Sequence, residues 1–444
     1  MLTSQVMDAY IAILKEELVP AMGCTEPIAI SYGAARLREV LGTLPERIEA
    51  DVSGNIIKNV KSVVVPNTGG LVGIEAAVAA GTVAGDAARE LEVIASVTAE
   101  QQTQIKDYLA KIPITVTCAD TTRMLDITLT GYAGSHKALV HIANNHTNVV
   151  RIEQDGEVLL DMPVSDSPED NLTDKSVLNV RDIVTFASNV PLSEVRSLLE
   201  RQVVYNTAIA EEGLRGDWGA NVGKILLDDF PQNIKNEAKA YAAAGSDARM
   251  SGCELPVIIL SGSGNQGLTA TLPIVRYAKY LGVSQEKMYR ALLVSDLVTI
   301  HQKTGIGRLS AFCGAVCAGT GAGAGIAYLH GGGYEAVAGT VLNSLGIISG
   351  TICDGAKASC AAKIAAAVES GILGYHMYLN HKGFRDGEGI IASDVDRTIQ
   401  NVGVLAKEGM QETDHVILQI MTQQVENTKK KVENMRDNES ACQY

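Results

Sequence analysis

The sequence predicts an α+β fold in which a smaller α/β lobe is inserted after the N-terminal helices of a large, mostly helical domain. Three observations lead there. Apolar residues recur at helical spacing at the start of the chain (Val6, Tyr10, Ile13, Leu14, Leu18), and short β-branched runs bounded by Asp, Gly and Asn fill the region between roughly Arg47 and Pro163. Helical periodicity then dominates from Leu178 onward. The resulting boundaries assign residues 1–45 and 176–444 to the helical domain and 46–175 to the lobe.

In chain order, two helices open the chain, broken at Val19–Cys24, and the second runs from about Thr25 to Leu41. In the lobe, Ile114–Thr117, Leu125–Thr130 and Val149–Ile152 read as strands, interrupted earlier by an Ala/Gly-rich helical stretch from Gly69 to Leu91. Ser165–Asp174 is a polar linker, and Asn427–Ser440 is a charged, solvated helical tail. Three stretches, Ala311–His330, Ala336–Ile352 and Ala361–Tyr375, carry few charges and many Gly and Ala. The spacing of Gly319, Gly321, Gly323 and Gly325 would suit membrane helices, but Gly-rich runs insert poorly, and closely packed buried helices explain them better.

With 444 residues the chain has the length of two or three domains and can bury a core without disulfides. Its 37 Lys and Arg against 51 Asp and Glu leave a net charge of −14, which repels phosphate backbones and anionic lipid. Nucleic acid and membrane surfaces are therefore not expected partners. The amphipathic first helix, with Asp8, Lys15, Glu16 and Glu17 among its apolar positions, is not a secretion signal, so a cytoplasmic location is expected. In that reducing setting the eight cysteines serve more readily as metal ligands or reactive groups than as disulfides.

Cys24 lies in Pro20-Ala21-Met22-Gly23-Cys24-Thr25-Glu26-Pro27, where Thr25 reads as an N-cap and Pro27 as a first-turn residue. A thiol just before a helix N-terminus gains thiolate character from the unpaired amides and the dipole, which suits a base or nucleophile. The plain alternative is a buried cysteine that packs as a small hydrophobe. Four more cysteines, Cys313, Cys317, Cys353 and Cys360, sit in a Gly-rich, charge-poor setting that suits iron–sulfur ligation. On a straight helix Cys353 and Cys360 would lie about 10 Å apart, too far for one small cluster, so Asp354-Gly355 is expected to turn and fold the pair together before a helix beginning near Lys357. That pair plus one thiolate from the preceding helix leaves an iron open as a Lewis acid. Zinc is the main metal alternative, without paired CxxC units to favour it, and four packed core cysteines are the structural one.

Ser261-Gly262-Ser263-Gly264-Asn265-Gln266-Gly267 contains a literal GxGxxG after an apolar run. As a dinucleotide fingerprint it lacks its acidic partner, because Glu286 falls at a helix start. A loop whose amides, with Asn265 and Gln266, hold the carboxylate of a small substrate is the better reading, with an interhelical turn as the alternative. His136, His141 and His146 read as surface or core residues of the lobe. His301, near Lys303 and Arg308, could approach the cysteines, and Asn67-Thr68-Gly69-Gly70-Leu71 could place amides at the lobe interface.

Taken together, segment 20–27, Gly262–Gly267, Leu309-Ser310-Ala311-Phe312-Cys313-Gly314 and Cys353-Asp354-Gly355-Ala356-Lys357-Ala358-Ser359-Cys360 resemble the L-cysteine desulfidase family, which is related to the α domain of bacterial iron–sulfur L-serine dehydratases. The resemblance spans most of the chain and implies that Cys24 is the proton acceptor and that Cys313, Cys353 and Cys360 ligate a [4Fe–4S] cluster. Cys317, one turn from Cys313, is the alternative third ligand; the family motif, with its cysteine before glycine, favours Cys313. The implied reaction is elimination of sulfide from L-cysteine without pyridoxal phosphate. L-serine dehydration is the sister reading, and a non-enzymatic iron–sulfur sensor the third. The expected partner is a small amino acid, with homo-oligomerisation left open.

Overall fold

The computed structural model describes residues 2–164, 172–307 and 309–421. The linker residues 165–171, Arg308 and the charged tail lie outside the described residues. The fold is α+β, as the sequence predicts.

The chain opens with α1 (Ser4–Glu17), whose Tyr10, Ile13 and Leu14 enter the core of the helical domain. A three-residue strand, β1 (Pro20–Met22), follows where the sequence suggested only a break, and then α2 (Thr25–Leu41). The lobe contains β2 (Arg47–Val52), α3 (Gly54–Val60), α4 (Ile74–Ala84), α5 (Ala99–Lys111) and five further strands: β3 (Ile114–Cys118), β4 (Asp126–Ala133), β5 (His136–Ala143), β6 (Val149–Gln154) and β7 (Glu157–Asp161). They form one sheet of order β3-β2-β4-β5-β6-β7, antiparallel except for the parallel β2–β3 pair.

Helix α4 is shorter than the expected Gly69–Leu91 stretch. Gly69, Gly70 and Gly73 have φ of +69°, +92° and +99°, so the helix starts only at Ile74, and Ala87–Glu92 is a separate 3-10 turn. Helix α2 gives Ile28, Ile30, Leu37 and Leu41 to the core of the lobe, packing with Ile48, Leu129 and Ile142 of the sheet. Its N-terminus nonetheless faces the helical domain. One helix thus carries a residue from the lobe's frame to the boundary between the two parts.

The second part comprises α6 (Val180–Asn189), α7 (Arg196–Arg215), α8 (Val222–Asp228), α9 (Ile234–Met250), β8 (Pro256–Ile258), α10 (Gly264–Leu281), α11 (Gln285–Ile306), α12 (Gly314–Leu329), α13 (Tyr334–Ile348), α14 (Cys360–Leu379) and α15 (Val395–Val404). The small residues noted in the sequence are where α12 and α14 meet: a Cβ on Gly371 would lie 2.2 Å from the Gly319 carbonyl, and one on Gly323 would lie 2.6 Å from the Gly371 carbonyl. Backbones this close exclude any larger residue. No helix among the described residues is long and apolar enough to cross a membrane. A helical segment at 411–421 returns to the lobe, where Asp414 pairs with buried Lys58 and accepts a hydrogen bond from Asn55 at 3.0 Å.

One buried carboxyl in the helical core gives a pH test. Asp296 on α11 is fully buried and accepts a hydrogen bond from Gln202 Nε2 at 2.9 Å, while its Oδ2 has no partner among the described residues. Burial pushes its carboxyl up to about 7, with the Gln202 hydrogen bond pulling the other way. The folded state therefore holds this proton more tightly than the unfolded chain, and stability falls as pH rises from about 4 to about 7, then levels off. Asp296→Asn is expected to remove that loss: thermal unfolding should show a midpoint several degrees above wild type at pH 8 and nearly unchanged at pH 4. Equal midpoints at pH 8 would contradict it.

Candidate active site

Cys24 is placed by a strand, a turn and a helix. Strand β1 pairs antiparallel with β8, and Gly23, with φ of +59° and a hypothetical Cβ only 2.7 Å from the Pro66 ring, turns the chain into α2. Cys24 itself occupies the N-cap position, and Thr25, expected there, is the first helical residue. The Thr25 hydroxyl bonds instead to the Gly262 carbonyl and to Glu26 Oε2, each at 3.0 Å. Cys24 Sγ donates to the same Glu26 Oε2 at 3.1 Å, and Asn59 Nδ2 donates to Oε1 at 3.1 Å. A buried thiol, a buried carboxylate and the amide of α3 thus form one linked group.

The late cysteines are brought together by an isolated β-bridge between Phe312 and Ile352. The Cys313 amide donates to Thr351 O at 3.0 Å and the Cys353 amide to Ala311 O at 2.6 Å, which sets the two residues side by side. Gly355, with φ of +95°, makes the turn the sequence suggested and folds Cys353 toward Cys360. The following helix starts at Cys360, three residues later than expected, because the turn occupies the chain through Ser359. Asp354 holds the loop through Lys357 at 2.6 Å and Lys363 at 2.5 Å. Lys357 is therefore engaged structurally.

The Ser261–Gly267 loop leads into α10 beside these residues. Among the described residues its preceding strand, β8, pairs only with β1 and antiparallel, which is not the parallel βαβ frame of a dinucleotide site. Asn265 Oδ1 accepts from Arg249 Nη1 at 3.1 Å, and a Cβ on Gly314 would lie 2.7 Å from Gln266 Cδ, so Gln266 packs against the start of α12. Cys24, Cys313, Cys353, Cys360, Asn265 and Gln266 all line one cavity of about 100 Å³, together with Glu26, Asn59, His146, Arg249 and Lys303. Cys24 and Cys360 also share a small apolar cluster with Val63 and Met250. A larger cleft of about 680 Å³ shares the His146, Leu309 and Ser310 walls.

Three residues put forward from the sequence, Cys317, His301 and Asn67, are not part of this cavity. Cys317 is fully buried one turn along α12, where its carbonyl accepts from Gln302 at 3.3 Å. His301 pairs with Asp396 at 2.8 Å. Asn67 bonds to Ile94 O at 2.8 Å, inside the lobe.

The family model of the serine dehydratase alpha chain matches residues 88–419. The chain belongs to that family. Similar proteins include a UPF0597 protein of Desulfitobacterium hafniense, 56% identical over 94% of this chain and 96% of that one. Others are a UPF0597 protein of Lachnoclostridium phytofermentans, 52% identical over 93% of this chain and 98% of that one, and one of Treponema denticola, 47% identical over 93% and 97%. Membership in the serine dehydratase alpha chain family makes the protein a lyase-type enzyme.

Electrostatics in this family member depart from the sequence reading at Cys24. Burial pushes its thiol well above the usual cysteine range, the Glu26 charge adds to that, and Arg249 opposes it only in part. The helix N-terminus thus does not yield a resting thiolate, because the adjacent carboxylate and the dry surroundings outweigh it. Burial and the neighbouring Cys353 raise the Cys313 thiol to about 12, and burial raises Cys360. Against the upward push of burial, Lys357 and Lys363 hold the Asp354 carboxyl at about 2.

Among the described residues, no group of three or more His, Cys, Asp or Glu is gathered around a single metal-ion position. A cluster that binds each thiolate through a different iron needs its sulfurs farther apart than one ion does. The all-thiol donor set, free of disulfides and lining one cavity, fits such a group better than a lone zinc.

Sequence reasoning missed Glu26, Asn59, Arg249, Lys303 and His146. Glu26 was within reach, being a carboxylate two residues from the candidate base. Arg249, in the last turn of an Ala-rich helix, carried no local signal. The Gly355 turn is testable: a Cβ there would lie 2.3 Å from the Lys58 carbonyl, at a positive φ that also disfavours side chains. Gly355→Ala is expected to cost about 2–4 kcal/mol in stability and to lower bound iron after reconstitution. Unchanged melting and iron content would contradict this.

Proposed function

We propose that this lyase removes sulfide from L-cysteine by α,β-elimination, giving pyruvate, ammonia and sulfide. One observation carries the reading: Cys24, with its Glu26 partner, lines the same cavity as the thiols of Cys313, Cys353 and Cys360. Those three residues would hold a [4Fe–4S] cluster, which when bound supplies Lewis acidity toward a leaving heteroatom.

The chain's own residues handle the proton. Glu26 Oε2 accepts the Cys24 hydrogen bond and orients the sulfur, and once the thiol has lost its proton to solvent the thiolate removes the substrate α-proton. As the Cα–H bond breaks, its electron pair forms the Cα–Cβ double bond and the Cβ–S bond breaks, releasing sulfide. The aminoacrylate tautomerises to an imine, which water hydrolyses to pyruvate and ammonia. Asn59, bonded to the other Glu26 oxygen, fixes the carboxylate against the thiol.

The preference for cysteine rests on the sequence resemblance, and family membership favours L-serine dehydration as the second reading. Protein purified and reconstituted without oxygen, analysed for iron and acid-labile sulfide, then assayed on each amino acid, separates the two. Sulfide and pyruvate released faster from L-cysteine support the proposal; faster pyruvate release from L-serine replaces it with dehydration. Bound iron with neither product would overturn both.

A further inference from the structure

Among the described residues, one buried cation in the cavity has no ion-pair partner. Arg249 is 2% exposed, yet among the described residues its side chain's only hydrogen bond runs from Nη1 to Asn265 Oδ1, and its Nε is buried without a partner. The guanidinium lies against the first residue of α10: a Cβ on Gly264 would be 2.3 Å from Nε, so glycine is what leaves it room. Beside it Gln266, 3% exposed, has a side chain that makes no hydrogen bond among the described residues, its Oε1 buried and unpartnered. Helix α10 is 18 residues long, and Ser261 and Gly262 approach it with φ of +48° and +77°, turning the chain so that the helix starts at the cavity wall.

A guanidinium removed from water is unfavourable unless an anion meets it. A helix N-terminus, with unpaired amides and the positive end of the dipole, favours the same sign of ligand. The end of α9 and the start of α10 therefore call for the same kind of ligand, and among the described residues the guanidinium meets only the neutral Asn265 side-chain carbonyl. Glu26, the nearby carboxylate, is already committed to Cys24, Thr25 and Asn59.

We propose that Arg249 and the first turn of α10 bind the α-carboxylate of the substrate, so that the site accepts free amino acids and rejects their amides and esters. This assignment rests on the amino-acid lyase reading and adds a binding residue to it. A carboxylate held there fixes Cα, one bond away, in the cavity that Cys24 lines. The unpartnered Gln266 Oε1 offers an acceptor for the neighbouring α-ammonium group.

The test uses reconstituted, oxygen-free protein and L-alanine, which has the carboxylate and ammonium but nothing to eliminate. Calorimetric titration of the wild type should show L-alaninamide binding at least roughly 100-fold more weakly than L-alanine, the loss of a charge-assisted pair. Arg249→Gln should weaken L-alanine by roughly the same factor and raise KM for the amino-acid substrate far more than it lowers kcat, with iron content unchanged. Arg249→Lys should recover part of the affinity.

Equal binding of the amide and the acid by the wild type, which needs no variant to fold, would overturn the assignment. Wild-type affinity in Arg249→Gln would do the same. So would loss of iron in both variants, which would place the charge in service of the thiol-bound group. A wild type that binds L-alanine through Arg249 but turns over neither L-cysteine nor L-serine refutes the lyase reading and leaves the anion site standing.

Discussion

Cys24→Ser is expected to lower kcat by roughly 10³-fold while iron and acid-labile sulfide remain at wild-type levels. The substitution keeps a hydrogen-bond donor within reach of Glu26 Oε2 and removes little volume from the Val63 and Met250 cluster, so folding should be preserved. What it changes is acidity: a hydroxyl beside a carboxylate in a buried site gives up its proton far less readily than a thiol. The same reasoning fixes the sign of the pH dependence. Burial and the Glu26 charge push the Cys24 thiol up, so the deprotonated form is gained as pH rises and lost as it falls. Wild-type kcat/KM should therefore climb with pH through the neutral range. A fully active Cys24→Ser enzyme would remove this residue from the chemistry.

How far the sequence could be read depended on whether the signal was local. Strand β4 was legible from the β-branched run at 125–130, and the Gly355 turn from its Asp-Gly pair, because each is decided by neighbouring residues. Strand β2 shows the same kind of pattern, with Ile48, Ala50 and Val52 buried on one face, but its interleaved Glu and Asp hid it. The start of α4 was misplaced because composition alone does not reveal that Gly69, Gly70 and Gly73 are used at positive φ. The thiols could be nominated by residue type and motif, whereas their acidity could not. It depends on how deeply Cys24 is buried and on Glu26 pointing back at it, and both are tertiary facts. Arg249 is the extreme case: 225 positions separate it from Cys24, and the pairing of β1 with β8 together with the packing of α9 against the start of α10 brings the two to one cavity.

The paired substitutions Cys313→Ser and Cys317→Ser should give opposite outcomes, although the two residues lie one helical turn apart. Cys313, the N-cap of α12, faces the cavity that Cys353 and Cys360 also line, and its amide is fixed by the bridge that aligns it with Cys353. Replacing its sulfur should reduce bound iron to a small fraction of wild type and abolish turnover, because two remaining thiolates hold such a group poorly. Cys317 is fully buried on the helix, where Thr299 and Gln302 bond to its carbonyl and not to its sulfur. Serine there places a hydroxyl in an apolar position, which should cost about 1–3 kcal/mol in stability and leave iron and activity in place. Iron and sulfide analysis of both variants, read beside their melting temperatures, decides the assignment. If Cys317→Ser loses the iron and Cys313→Ser keeps it, the ligand set must be redrawn around the deeper thiol, and α12 would have to shift by about one turn, roughly 6 Å along its axis, to present it.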